Sequence, residues 1–456
     1  MANIITPKIV FFLFLIPTTV VPVVAGEVTL QEAVQYGENV RARWPKEQPI
    51  DKTILFRQGA RRLDSRHVTL YTDLAASQSV DELPTVFDLM VPQLCEYFEL
   101  DPKNYESWKV EVFLIGETAK FDKSGALEQV PQLRNGYALR NRIWLREQPS
   151  EYYRRHLLLH EGVHAFMGYV FGKWGPPWYR EGTAELLGTH CWKDKNLTLG
   201  YLPRNADEVP NWRRIPIVRN AFAKKEGRRT EDVFDLAPED YDENAAYAWS
   251  WAFAAFCEHH PGYRMPFRHL ARHLSRSDAK LSELFVNLLD EEDAKRFEDD
   301  WTDFVANIDF GYDFERTRID DFSPGKPLAK NGDTVAVRAD RGWQNSGLRL
   351  EKGQTYEFSA EGRFQLGRTP KIWWSEPNGI TVRYHRGVPI GTLLATLRSD
   401  SGESTETGTG IGFATPQVVG TGGTWNVEHS GTLFFRINDF PSELDDNDGT
   451  ATARIR

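Results

Sequence analysis

Two histidines four positions apart constrain this chain more than any other feature. They belong to HLLLHEGVHAFMGYVF, residues 156–171, an apolar run whose length and pattern predict a helix. At that spacing His160 and His164 share one helix face, so both imidazoles can reach a single cation. Glu161 lies between them, beside the coordination position such an ion leaves open. WYREGTAEL then offers a third ligand, Glu181, 17 positions beyond His164 on a segment that reads as the start of a second helix. Two histidines and one glutamate suit Zn²⁺ with a place left for water, whose pKa the metal lowers towards ~7. Glu185 follows one turn later on the same face, placed to accept the remaining ring N–H of a ligating histidine.

The metzincin pattern HExxHxxGxxH is excluded, because Met167 replaces its glycine and Val170 its third histidine. The layout present, HExxH, a proline-containing loop, then W-x-x-EG-x-AE, resembles the gluzincin zinc metallopeptidases. Within them it is similar to the peptidase-MA-like group of secreted bacterial proteins, over roughly residues 60–310. That resemblance implies an α+β domain in which His160, His164 and Glu181 hold Zn²⁺. It also implies that Glu161 is the catalytic base and that amide bonds of a peptide or protein are hydrolysed. In gluzincins the strand preceding the zinc helix borders the cleft. Here that run is GYALRNRIWL, 136–145, which either takes up a peptide as an added strand or is a plain edge guarded by Arg140, Asn141 and Arg142. The aminopeptidase signature G-x-M-x-N is absent from it. Gluzincins often bring a tyrosine or histidine from a later helix to the developing oxyanion. Tyr247, in the Ala-rich NAAYAWSWAFAAF, is the candidate; the alternative is an aromatic that merely packs on the zinc helix.

A chain of 456 residues accommodates two or three domains. Its net charge of −10, without a basic stripe, argues against nucleic-acid binding. Lys8, an apolar run over 9–24 and then Ala25 predict a signal peptide spanning residues 1–25. The expectation is a secreted or periplasmic protein without stable membrane insertion, an uncleaved anchor being the alternative. Three cysteines are too few for a disulfide framework, and Cys95 and Cys257 sit in apolar helical patterns that predict buried thiols.

Along the chain, HVTLYT, a helix over 80–100 and WKVEVFLI predict a strand–helix–strand crossover. Residues 192–240 read as loop-rich, with NWRRIPI and KKEGRR as solvated basic patches. Helices near 263–288 and 290–308 close a first domain, 26–321, and FSPGKPLAKN marks a linker, 322–332. From 333 to 456 the pattern turns to period two between Gly-rich turns, which predicts an all-β sandwich.

Within that segment NDFPSELDDNDG, 438–449, gathers hard oxygens that suit Ca²⁺, or else forms a solvated acidic turn. The loop and the landmarks GWQNSGL, SAEGRF, PNGI, PIGTL and LFFRIND resemble the calcium-dependent galactophilic lectins (LecA/PA-I type). Carried across, the resemblance makes Asp439, Glu443, Asp446 and Asn447 calcium side chains, with the Leu366 carbonyl as a further ligand. Glu443 stands where the family has threonine, Asp446 where it has the first asparagine of a pair, and Glu376 near a sugar-contacting histidine. These departures keep a calcium site and weaken the case for galactose. Trp373 and Trp374 either stack on a sugar ring or pack. The reading from another class is a surface carbohydrate- or protein-binding protein with a structural zinc, against which an intact Glu161 speaks.

Overall fold

The computed structural model describes residues 28–130, 132–275, 280–399 and 412–456. The expected signal peptide lies outside them. Among the described residues no helix is long and apolar enough to cross a membrane.

Five strands come first: β1 (Arg61–Asp64), β2 (Val68–Thr72), β3 (Val110–Ile115), β4 (Gly136–Leu139) and β5 (Arg142–Arg146). Their order in the sheet is β1-β2-β3-β5-β4, with β2, β3 and β5 parallel and antiparallel β1 and β4 at the two edges. Helix α1 (Leu83–Tyr97) makes the crossover from β2 to β3. WKVEVFLI is apolar almost throughout because both faces of β3 are covered. Val112 and Leu114 enter the main core, while Phe113 and Ile115 enter a smaller one on the opposite face.

The main core is roofed by α2 (Glu151–Phe171), α3 (Pro177–Gly188), α4 (Arg214–Ala223), α5 (Asn244–His259) and α6 (Glu291–Asn307). Ser150 caps α2 by accepting from the Tyr153 N–H at 3.2 Å, and Gly172 ends it in a left-handed conformation, φ 70°. Helix α3 sits directly on α5. A Cβ at Gly182 would stand 2.7 Å from the Ser250 carbonyl oxygen, so only glycine permits that approach.

Two local expectations are corrected and a third is refined. Residues 136–145 are not one strand but the hairpin β4–β5, turned at Arg140 with φ 55°, so the sheet edge is confined to Gly136–Leu139. Residues 192–240 are loop-rich as expected, and between the loops they hold most of the hairpin β6 (His190–Lys193) and β7 (Asn196–Leu199), then α4 and a short helix at Thr230–Phe234. The helix expected over 263–288 is interrupted, with helical pieces at Pro261–His269 and Leu281–Leu288.

The C-terminal region is β-rich. Strands β8 (Lys326–Pro327), β9 (Asp333–Arg338), β10 (Gln344–Leu350), β11 (Thr355–Glu361), β12 (Phe364–Gln365), β13 (Trp374–Ser375), β14 (Asn378–His385), β15 (Val388–Ser399), β16 (Gln417–Val418), β17 (Gly422–Asn426), β18 (Gly431–Ile437) and β19 (Thr450–Ile455) follow in turn. One sheet runs β14-β15-β18-β10-β8 with β16 beside β15, another β17-β11-β19-β9. Leu393, Leu433 and Phe435 of the first share a core with Val337, Phe358 and Ala453 of the second. The segment expected as a linker is partly structured, since β8 pairs in parallel with β10. This region also touches the preceding one. Arg436 Nη1 donates to Asn307 Oδ1 of α6 at 3.1 Å, and the Asp313 N–H donates to the Pro441 carbonyl at 3.2 Å.

Candidate metal centre

Helix α2 places His156, His160 and His164 on one stripe, a turn apart, and α3 brings Glu181 and Glu185 against it. His160 Nε2 lies 3.1 Å from His164 Nε2. Glu181 Oε2 lies 3.3 Å from the first and 3.4 Å from the second. Ligand atoms about 2.0–2.1 Å from a tetrahedral Zn²⁺ stand roughly 3.3–3.4 Å apart, so the triangle has the dimensions of one face of such a site. The three residues form a buried to half-buried cluster able to hold a metal ion.

The electrostatics favour a cation there. Burial alone would keep His160 neutral, but Glu181 and Glu185 on either side of its ring override that and push its pKa up to about 10. Burial works against the Glu181 and Glu185 carboxylates as well. Even so, the neighbouring histidines, and for Glu185 first the guanidinium of Arg214, hold them well below the usual carboxylate range. Burial raises Glu161, with its two histidine neighbours opposing. The carboxylates that raise His160, Glu181 first, also attract a cation to this cluster.

Glu161 shares a cavity of about 620 Å³ with Glu181, Tyr137 and Tyr247. Its carboxylate rests against the backbone of the edge strand: a Cβ on Gly136 would come within 2.6 Å of Glu161 Oε1. Tyr247, from α5, lies on another wall. Its ring centroid is 6.2 Å from that of His160 and 5.0 Å from that of Tyr241. Burial drives the Tyr247 phenol well above its ordinary range, so it remains an O–H donor. Glu185 Oε1 lies 3.4 Å from His160 Nδ1.

Three residues at this centre were not singled out from the sequence. Arg180 Nε donates to Glu181 Oε1 at 2.7 Å, leaving Oε2 for the histidines. His156 Nε2 lies 3.4 Å from Glu185 Oε2. Arg214, expected in a solvated patch, is buried and donates from Nε and Nη2 to both oxygens of Glu185, each at 2.9 Å. The available signal was the apolar Ile215 and Val218 that follow it at helical spacing and pull the start of α4 inward. For His156 the signal was its place one turn before His160.

In the C-terminal acidic loop Asp439 and Asn447 are joined by a hydrogen bond, whereas Glu443 is tied to another strand. Asp439 is buried, accepts from Asn447 Nδ2 at 3.0 Å and from the Phe440 N–H at 2.8 Å, and is pushed by burial up to about 7. Glu443 is held in a two-armed pair with Arg383 at 2.6 and 3.0 Å. Asp446 Oδ1 and Asn447 Oδ1 are buried with no hydrogen-bond partner. Trp373 packs against the core of this region, whereas Trp374 is nearly half exposed with the Arg363 guanidinium 5.0 Å above it.

No protein-family model and no curated protein matches the chain. Among solved structures it is similar to one described as "EclA N-terminal domain; PllA-like lectin", at 21% identity and a TM-score of 0.22. That match covers 28% of this chain and 98% of the other.

Proposed function

We propose that the chain is an exported, gluzincin-like zinc hydrolase of peptide or protein amide bonds, followed by a β-sandwich module. The observation that carries this reading is the triangle of His160, His164 and Glu181, with Glu161 in the same cavity. A Zn²⁺ bound there would supply Lewis acidity, polarising the scissile carbonyl and lowering the pKa of a water. Glu161 takes a proton from the attacking water and passes it to the departing nitrogen. Tyr247 donates its O–H to the oxygen that becomes negative. The free edge of β4, beside Glu161, offers backbone groups to an extended chain.

The test is profiling of the full chain on a diverse peptide library, with and without chelator, beside Glu161→Gln. The expected result is chelator-sensitive cleavage that Glu161→Gln reduces by about 10²-fold or more while the metal stays bound. Equal rates for the two proteins rule out Glu161 as base. A complete lack of cleavage by metal-loaded protein favours the surface-binding alternative with a structural zinc.

A second reading concerns the acidic loop. Unpartnered, buried Asp446 Oδ1 and Asn447 Oδ1 beside buried Asp439 favour a Ca²⁺ site, because stranded oxygens of this kind are costly unless something binds them. Carbohydrate at this loop is a further outcome to be read by glycan binding with and without calcium.

A further inference from the structure

Glu185 is a four-way junction. One side of its carboxylate is gripped by both arms of Arg214, at 2.9 Å each. The other side meets His160 Nδ1 through Oε1 and His156 Nε2 through Oε2, at 3.4 Å each. Arg214 and Glu185 are both essentially out of solvent. His156, His160 and Glu185 by themselves have the make-up of a second metal cluster. The guanidinium supplies the positive charge that this cluster calls for, and it occupies the carboxylate that would ligate an ion. The Arg214 guanidinium also stands 5.5 Å from the ring of Tyr247, across the cavity wall.

We infer that Arg214 is a positioning residue for the metal centre: by clamping Glu185 in one orientation it orients the His160 ring and so sets the affinity for the ion. The inference rests on the zinc reading of His160, His164 and Glu181. A single carboxylate flanked by two imidazoles has no geometric reason to prefer either. The planar, two-armed guanidinium removes that freedom by fixing the carboxylate plane, and a point charge cannot do the same. Outer partners of metal-ligating histidines affect affinity by about 10–100-fold, and Arg214 stands one contact further out, so a loss of about tenfold is expected.

The experiment titrates the full chain with Zn²⁺ against a competing chelator and records the visible spectrum of the Co²⁺-loaded protein. Arg214→Met should weaken Zn²⁺ binding about tenfold and alter the Co²⁺ bands. Arg214→Lys should recover only part of the affinity, because an ammonium restores the charge without the two-armed grip. In a Glu185→Gln background, Arg214→Met should change nothing further, since its effect passes through Glu185; that pair also avoids a stranded buried charge. Unchanged affinity in Arg214→Met overturns the inference, as does an equal loss in the Glu185→Gln background. Should Arg214→Met not fold, Arg214→Lys carries the comparison, and wild-type affinity in it is the overturning result. A wild-type chain that binds no stoichiometric metal brings down the zinc reading itself, an outcome distinct from either.

Discussion

Gly136→Ala separates the position of Glu161 from its chemistry. The backbone at Gly136 is not in the left-handed region, so alanine meets no conformational strain, but its Cβ would stand 2.6 Å from Glu161 Oε1 and 3.0 Å from its Cδ. Ordinary contact begins near 3.4 Å, so the carboxylate must withdraw by about 0.8 Å. A displacement of about 1 Å at a reacting group costs on the order of 10²-fold in rate. The expected loss in kcat/KM is therefore about 30–100-fold, or about 2–3 kcal/mol. The gain of about 0.4–1 kcal/mol from restricting the unfolded chain opposes the cost of crowding Glu161 Cγ at 2.9 Å, so fold stability should change little. The assay is steady-state cleavage of the best library substrate, with metal content and thermal melting measured on the same sample. Placed on Glu161→Gln, the substitution should have little left to affect. An unchanged rate, or a loss that tracks loss of metal or melting temperature, refutes the reasoning.

His164→Ala removes one corner of the ligand triangle, so elemental analysis should fall from about one zinc per chain to near none; full occupancy rejects the assignment. Calcium at a hundredfold excess over Kd should stabilise the full chain by about 2.7 kcal/mol, and Asp439→Ala should abolish the shift in melting temperature; no shift at millimolar calcium leaves the acidic loop a plain turn. His190 donates from Nδ1 to the Gly188 carbonyl at 2.8 Å and accepts at Nε2 from Arg155, and burial above all holds its pKa down at about 3. Its folded value lies below the unfolded ~6.5, so its contribution is complete above that pH and is lost as pH falls towards about 3, by up to about 1.4 kcal/mol per unit. His190→Phe, which keeps a ring against Tyr152, should flatten that acid limb in urea titrations; an unaltered slope refutes it.

The sequence by itself determined what depends on near neighbours. The i, i+4 spacing of His160 and His164 is a property of any helix, and the four-residue step from Glu181 to Glu185 likewise puts both on one face of α3. Period-two patterning made the C-terminal region legible as β-rich, and the runs HVTLYT and WKVEVFLI marked β2 and β3 as strands on either side of a helix. The hairpin at 136–145 was hidden because its turn is made at Arg140, a residue that seldom advertises a positive φ. The break between 263 and 288 was legible in part, since SRSDAK, 275–280, puts no large apolar residue at helical spacing between Leu274 and Leu281.

Tertiary structure alone decided which charges meet. Arg214 is 29 positions from Glu185, and its neighbours in sequence gave it the look of a surface cation. Only the packing of α4 and α3 against α5 turns it inward onto a carboxylate. The same holds for Glu443, whose oxygens the fold hands to Arg383, 60 positions away, while leaving Oδ1 of Asp446 and Oδ1 of Asn447 unpartnered. Local spacing is fixed by backbone geometry. Ion pairing between distant segments follows from burial, because a charge taken out of water must find whichever partner the packing supplies.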